Sequence, residues 1–149
     1  MPDILIDTNV LMLLIIGSWD REQIQAHRRT ETFTSSDFDL LQAELRRYHR
    51  VVTTPSVLTE TSNLMGNDFH ETIAATLIGV CTPFIEIIRP KEELLRAHAF
   101  GRLGFADMSV LAALSDEVVL LTDDVDLYLE ALYEGFQATN FNHLRKFDG

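Results

Sequence analysis

The sequence alternates short apolar runs with longer segments of helical period. Runs of this kind are typical of strands that are buried on both faces of a parallel sheet. Four are clear and a fifth is weaker: residues 4–6, 51–53, 84–88, 118–121 and 136–138. Strands separated by helices predict an α/β fold, with right-handed crossovers that place helices on both faces. We therefore expect a three-layer α/β/α sandwich around a mainly parallel sheet of about five strands.

The segments between these runs carry helix start and stop signals. Asp7 or Thr8 can cap a first helix over residues 10–16, and Gly17 would end it. Residues 18–50 are polar and charged, which predicts a helical insertion or a pair of surface helices, with Ser36 opening the second helix. The remaining predicted helices cover residues 55–66, 69 to about 80, 90 onward, 110–114 and 126–133. Asn67 or Asp68 would cap the second of these, Gly101 and Gly104 would break the third, and Gly135 would stop the last.

Length and composition fit one ordinary globular domain over residues 1–149. Hydrophobic residues make up 46% of the chain and charged residues 23%, as in typical globular domains. The single cysteine, Cys81, excludes an intramolecular disulfide. The start Met1-Pro2-Asp3 has no basic leader, and the apolar run 10–16 is too short to cross a bilayer. We therefore expect a cytoplasmic protein that does not associate with membranes.

The formal net charge of −11 argues against a general nucleic-acid binder, because Lys and Arg supply most nonspecific affinity for phosphates. A metal-dependent nuclease remains compatible with this charge, since its active site concentrates carboxylates and the bound cations reverse the local field. Any contact with a phosphate backbone must then be local.

Acidic residues occupy positions that meet at the carboxyl end of the predicted sheet, where open parallel sheets bind ligands. Asp7 follows the first strand, Asp124 follows the fourth, and Asp107 and Glu60 lie on helices that reach the same end. Taken singly, each has an ordinary explanation as a helix cap or a solvated side chain. Together they gather carboxylates that repel one another unless a cation binds. Mg²⁺ and Mn²⁺ prefer such ligands and support phosphodiester hydrolysis.

The acidic segments also resemble a known family. Residues 6–10, 60–63, 105–113 and 121–127 resemble, in order, the four acidic motifs of PIN-domain proteins, and the resemblance covers essentially the whole chain. Among PIN proteins, toxins of the VapC type are the most populous bacterial and archaeal group. Segment 18–50 is longer than its counterpart in compact toxin members.

The resemblance implies a Mg²⁺- or Mn²⁺-dependent endoribonuclease that cleaves RNA, either a toxin or a processing enzyme. It implies these catalytic and metal-binding positions: Asp7, Glu60, Asp107 and Asp124, with Asp126 as an additional metal ligand and Asn9 and Thr122 as supporting polar residues. Asp123 matches a variable position, although an offset of one residue from Asp124 stays open. A toxin would have an antitoxin protein as partner, and a homodimer is common among such proteins.

Other interpretations remain open at this stage. A non-catalytic PIN-like module would bind RNA or protein without cleaving it, and it would be expected to lack one or more of the acids. A phosphatase could use Asp7 as a nucleophile, but it would favour an acid two residues later, where Asn9 stands. Arg102 is a candidate phosphate contact, with a solvated surface arginine as the alternative.

Overall fold

A five-stranded sheet forms the middle of the protein, seen here in a computed structural model that describes residues 1–66 and 70–148. All four strand pairings are parallel, in the order β3-β2-β1-β4-β5. The strands are β1 (Asp3–Ile6), β2 (Val51–Thr53), β3 (Ile85–Glu86), β4 (Val118–Thr122) and β5 (Ala138–Asn140). Because β1 lies between β2 and β4, the carboxyl ends of the first and fourth strands are direct neighbours.

Helices connect the strands and follow the last one. They are α1 (Thr8–Trp19), α2 (Ser35–Leu45), α3 (Pro55–Met65), α4 (Glu71–Cys81), α5 (Lys91–Leu95), α6 (Phe100–Leu103), α7 (Phe105–Ala113), α8 (Val125–Tyr133) and α9 (Phe141–Asp148). Helix α1 packs against α2, α3 and α4, whereas α5 and α6 pack against α7. From β1 the chain moves outward to β2 and β3, and it then crosses to β4 and β5 on the other side of β1. Right-handed crossovers in these two directions place their helices on opposite faces of the sheet. The predicted three-layer α/β/α architecture is confirmed.

The core is built around β1 and α1. Residues 4–6 of β1 are fully buried, and α1 is buried from Val10 to Gly17. Gly17 does not end this helix, so that prediction is wrong. A Cβ atom at Gly17 would lie 2.2 Å from the ring of Phe38 on α2. The glycine therefore allows close packing of two helices, which outweighs its poor helix propensity of about 1 kcal/mol.

Segment 18–50 contributes to this core. It contains a short 3-10 helix (Arg21–Gln23) and α2, whose first turn is held by a reciprocal capping box between Thr34 and Asp37. Its buried hydrophobic side chains are Ile24, Phe33, Phe38 and Leu41. Because they pack in the main hydrophobic cluster, this segment is part of the sandwich and not a pair of purely surface helices.

Several boundaries differ from the sequence-based expectations. Gly101 lies inside α6 and does not break a helix, whereas Gly104, with φ of 87°, separates α6 from α7. Strand β3 is shorter than predicted, and β5 begins at Ala138 rather than at residue 136. Helix α9 was not predicted.

The predicted cap at Asn67 or Asp68 lies outside the described residues, and α4 is described from Glu71. No helix in the described part of the chain is long and apolar enough to span a membrane.

Candidate active site

Asp7 occupies the junction between the central strand and α1. Its amide donates to the carbonyl of Leu121 on β4 at 3.1 Å, which continues the sheet pairing by one residue. Its Oδ1 accepts from the amide of Thr8 at 2.7 Å, so Asp7 caps α1, as predicted. Burial raises the pKa of Asp7 to about 6, despite hydrogen bonds from Thr8 and Thr122 that favour the charged form. The cap is therefore also a carboxylate that readily holds a proton.

Thr122, at the end of β4, joins Asp7 to Asp124. Its buried hydroxyl donates to Asp7 Oδ2 at 2.9 Å and accepts from the amide of Asp124 at 3.0 Å. Asp124 Oδ1 in turn accepts from the amides of Asp126 and Leu127, which caps α8. One buried threonine hydroxyl thus fixes the relative positions of two predicted metal ligands. Thr122, predicted from the sequence as a supporting polar residue, lies between Asp7 and Asp124 in the structure.

Asp107 lies in the first turn of α7 and reaches the same end of the sheet. A buried contact helps to hold α7 there: the hydroxyls of Ser109 and Thr54 lie 3.3 Å apart, and Thr54 caps α3. Ser109 gives its only proton to the carbonyl of Ala106, so Thr54 must donate to Ser109. Glu60 lies on α3 and Asp107 lies on α7, so this contact joins the two helices that carry these acids.

The surroundings of Asp107 are strongly acidic. Burial and, in decreasing order, the negative charges of Asp7, Asp124, Glu60 and Asp126 together raise its pKa to about 7. Glu60 also acts on Asp7, although Glu60 and Asp126 are themselves exposed. The other four predicted metal-binding residues therefore lie within electrostatic range of Asp107, which makes a group of five. We call them the acidic edge.

Asp123, ranked below Asp124 from the sequence, is also close to the acidic edge. Asn9 Nδ2 donates to both of its oxygens, at 3.3 and 3.4 Å, and its charge acts on Asp7. Burial raises the pKa of Asp123, while the hydrogen bond from Asn9 opposes that shift. Asn9 therefore supports Asp123 in this structure, rather than Asp124.

Two arginines are relevant to the charge of this site: Arg102, which was predicted to contact phosphate, and Arg145, which was not predicted. Arg102 donates to Glu130 at 2.6 Å, so its guanidinium is held in an ion pair. Its predicted phosphate contact stays a prediction. Sequence reasoning missed Arg145 on α9, whose charge lowers the pKa of Asp123 and which pairs with Asp37 at 3.1 Å. The sequence feature that could have indicated α9 is the spacing of Phe141 and Leu144, which lie three residues apart as on one face of a helix.

The donor set fits a hard divalent cation. Carboxylate oxygens are the preferred ligands of Mg²⁺ and Mn²⁺, and the pKa values of Asp7 and Asp107 are raised first by burial and then by neighbouring acids. Within residues 1–66 and 70–148, no three of these carboxylates bring oxygens within 4.8 Å of one another. An open arrangement of this kind suits Mg²⁺, which takes one or two carboxylates and keeps several waters.

Comparison with protein-family models, with curated proteins and with solved structures finds no match to this chain.

Proposed function

We propose that this protein is a Mg²⁺- or Mn²⁺-dependent endoribonuclease of the PIN type, with Asp7, Glu60, Asp107 and Asp124 as its acidic centre and Asp126 as an additional ligand. The observation that carries the proposal is the environment of Asp107. Its pKa is raised to about 7 by burial and by carboxylates from β1–α1, α3 and α8. Helix caps alone give no reason for four separate chain segments to bring negative charges to one point.

The side chains of the acidic edge have distinct tasks in such a reaction. A bound divalent ion would supply an acidified water and neutralise charge on the scissile phosphate. Asp7 and Asp107, whose pKa values are raised to about 6 and 7, give up their protons when positive charge arrives. The hydroxyl of Thr122 contacts the side chain of Asp7 and the amide of Asp124, which limits how far these two residues must move when an ion binds.

RNA as the substrate rests on the resemblance to PIN proteins. The net charge of −11 limits general attraction to nucleic acid, so binding must depend on the site and on the few cations near it. Arg145 is one of these, because its charge reaches Asp123. We expect weak binding of RNA with a shallow dependence on salt concentration, because few cations contact phosphate, and cleavage that requires the divalent ion.

The decisive experiment compares cleavage of end-labelled single-stranded and structured RNA by the parent protein and by Asp107→Asn. Mg²⁺ or Mn²⁺ is supplied in one arm and a chelator in the other. We expect cleavage only by the parent and only with the ion. Equal cleavage in both arms would contradict the metal mechanism. Binding of RNA without cleavage would favour the non-catalytic module.

A phosphatase is the other enzyme class that the same samples can test. Turnover of a phosphomonoester, together with a covalent phosphate on Asp7, would support it. In this structure both oxygens of Asp7 accept hydrogen bonds, from Thr8 and Thr122, which reduces the availability of that carboxylate as a nucleophile.

The proposal includes a role as the toxin of a toxin–antitoxin pair, with an antitoxin protein as partner and a homodimer as the assembly. Expression of the parent should then arrest growth, and Asp107→Asn should relieve the arrest. Light scattering of the purified protein tests the dimer. Undiminished growth combined with RNA cleavage in vitro would instead indicate a processing nuclease.

A further inference from the structure

A second group of potential ligands lies away from the acidic edge, at the far end of α8. It consists of His98, in the segment between α5 and α6, and Glu130 and Glu134, at the end of α8. One ligand atom from each lies within 4.8 Å of the other two. Glu130 is six residues beyond Asp124, or about 9 Å of helical rise. Asp126, the member of the acidic edge nearest to this group along α8, precedes Glu130 by four residues.

Glu130 is buried and only half satisfied. Its side chain is 5% exposed, and Arg102 donates to its Oε1 at 2.6 Å. Its Oε2 is buried and has no hydrogen-bond partner. A buried carboxylate oxygen without a partner is unfavourable, because it has lost its hydrogen bonds to water and gained none in the protein. An additional positive group near Oε2 would remove this penalty.

The position of Glu134 makes the need for a cation greater. It lies four residues after Glu130 at the C-terminal end of α8, where both like-charge repulsion and the helix dipole disfavour a second carboxylate. Burial, the charge of Glu130 and a hydrogen bond with Glu130 raise the pKa of Glu134, while the charge of His98 lowers it. Arg102 provides one positive charge for the two carboxylates, which leaves a net negative charge on the pair.

The spacing of His98 also fits a shared ion. Its Nε2 lies 3.7 Å from Glu130 Oε1, which is too long for a hydrogen bond. His98 therefore stands next to the glutamate without being held by it, and one ligand atom of each of the three residues lies within 4.8 Å of the others. A cleft of about 280 Å³ adjoins the group and is lined by His98 and Glu134, so water can complete the coordination.

We propose that His98, Glu130 and Glu134 bind a divalent transition-metal ion, with Zn²⁺ as the favoured species. Imidazole nitrogen together with carboxylate oxygen suits Zn²⁺, whereas Mg²⁺ prefers oxygen ligands alone. Arg102 holds Oε1 of Glu130 and thereby orients the other oxygen. The ion would tie the α5–α6 segment to α8, whose opposite end carries Asp124.

The test uses a protein in which the acidic edge is disabled by Asp7→Asn and Asp107→Asn, so that binding there does not obscure the result. Titration calorimetry with Zn²⁺ should give one site per chain, and Mg²⁺ should give none. In the same background, His98→Ala and Glu134→Gln should each raise the Kd for Zn²⁺ by at least about tenfold. Both side chains are exposed, so these variants should fold.

His49→Ala and Glu117→Gln are matched controls, because both residues are exposed and lie at the opposite end of the sheet. They should leave the Kd for Zn²⁺ unchanged. Absence of stoichiometric binding in the disabled background would overturn the proposal and would indicate that the two glutamates share a proton instead. Binding that is insensitive to His98→Ala would also overturn it. RNA cleavage by the parent protein is a separate measurement, so failure of either proposal is visible independently.

Discussion

At the amino end of the sheet Asp3 is paired with a cation, whereas at the carboxyl end Asp7 and Asp107 face other carboxylates. Arg50 donates to both oxygens of Asp3, at 3.3 and 3.0 Å. At the carboxyl end, burial and neighbouring acids raise the pKa values of Asp7 and Asp107 to about 6 and 7. The negative charge of an aspartate is therefore neutralised by an arginine at one end, whereas at the other end it is buried among further negative charges. The difference suggests that the carboxyl end is arranged for an external cation.

The largest expected effect is on RNA cleavage. Asp107→Asn should lower the rate at saturating Mg²⁺ or Mn²⁺ by at least about hundredfold, because it removes a ligand charge and little volume. Asp116→Asn, an exposed acid at the amino end, is the control and should leave the rate unchanged. Equal losses in the two variants would show that general charge matters, and not the acidic edge.

A second prediction concerns the dependence of stability on pH without metal. Between pH 4 and 7 folded Asp107 keeps a proton that the unfolded chain has lost, so the free energy of unfolding should fall as pH rises through this range. In Asp107→Asn that fall should be smaller. Near pH 7.5 the variant should be more stable than the parent by on the order of 2 kcal/mol.

Chemical denaturation at pH 5 and pH 7.5 with chelator present measures this difference. Asp107 is the better position for the test because no hydrogen bond to its side chain is seen among the described residues, whereas Asp7 caps α1 and accepts from Thr122. An advantage of the variant that does not grow with pH would contradict the raised pKa of Asp107.

A third prediction compares the effect on metal affinity of replacing two buried threonines, each at the end of a strand. Thr122→Val should weaken metal affinity by about tenfold, because residues that orient metal ligands typically contribute this much. Thr53→Val is the matched control at the end of β2, since the Thr53 hydroxyl has no hydrogen-bond partner and valine relieves it. Calorimetry with Mg²⁺ on both variants decides the question, because Mg²⁺ prefers oxygen ligands alone. A similar loss in Thr53→Val would show that the effect is one of packing.

The smallest effect is expected at the amino end. Arg50→Gln breaks the ion pair with Asp3, but the arginine side chain is 49% exposed. Such pairs contribute about 0.2–1 kcal/mol, so the free energy of unfolding should fall by no more than about 1 kcal/mol and RNA cleavage should not change. A larger loss of activity would show that the two ends of the sheet are coupled.

Much of the fold could be predicted from the sequence, because buried parallel strands and capped helices leave local signals. Pro55 marks the start of α3, and Gly135 ends α8 with a positive φ. Features that depend on distant neighbours could not be predicted. Gly17 was predicted to end a helix, but it lies inside α1 because the ring of Phe38 packs against it. The effect of Arg145 on Asp123 depends on the position of α9, which lies near Asp123 only in the folded chain.

The candidate site divides in the same way. The sequence by itself determined which carboxylates follow strands or open helices, since strand direction alone assigns Asp7, Asp107 and Asp124 to one end of a parallel sheet. Tertiary structure decided how these charges interact. It placed the hydroxyl of Thr122 between Asp7 and Asp124 and brought His98 to Glu130 from a separate segment. Burial and electrostatic neighbours are properties of the packed molecule, so the raised pKa values and the second cluster have no signature in local sequence.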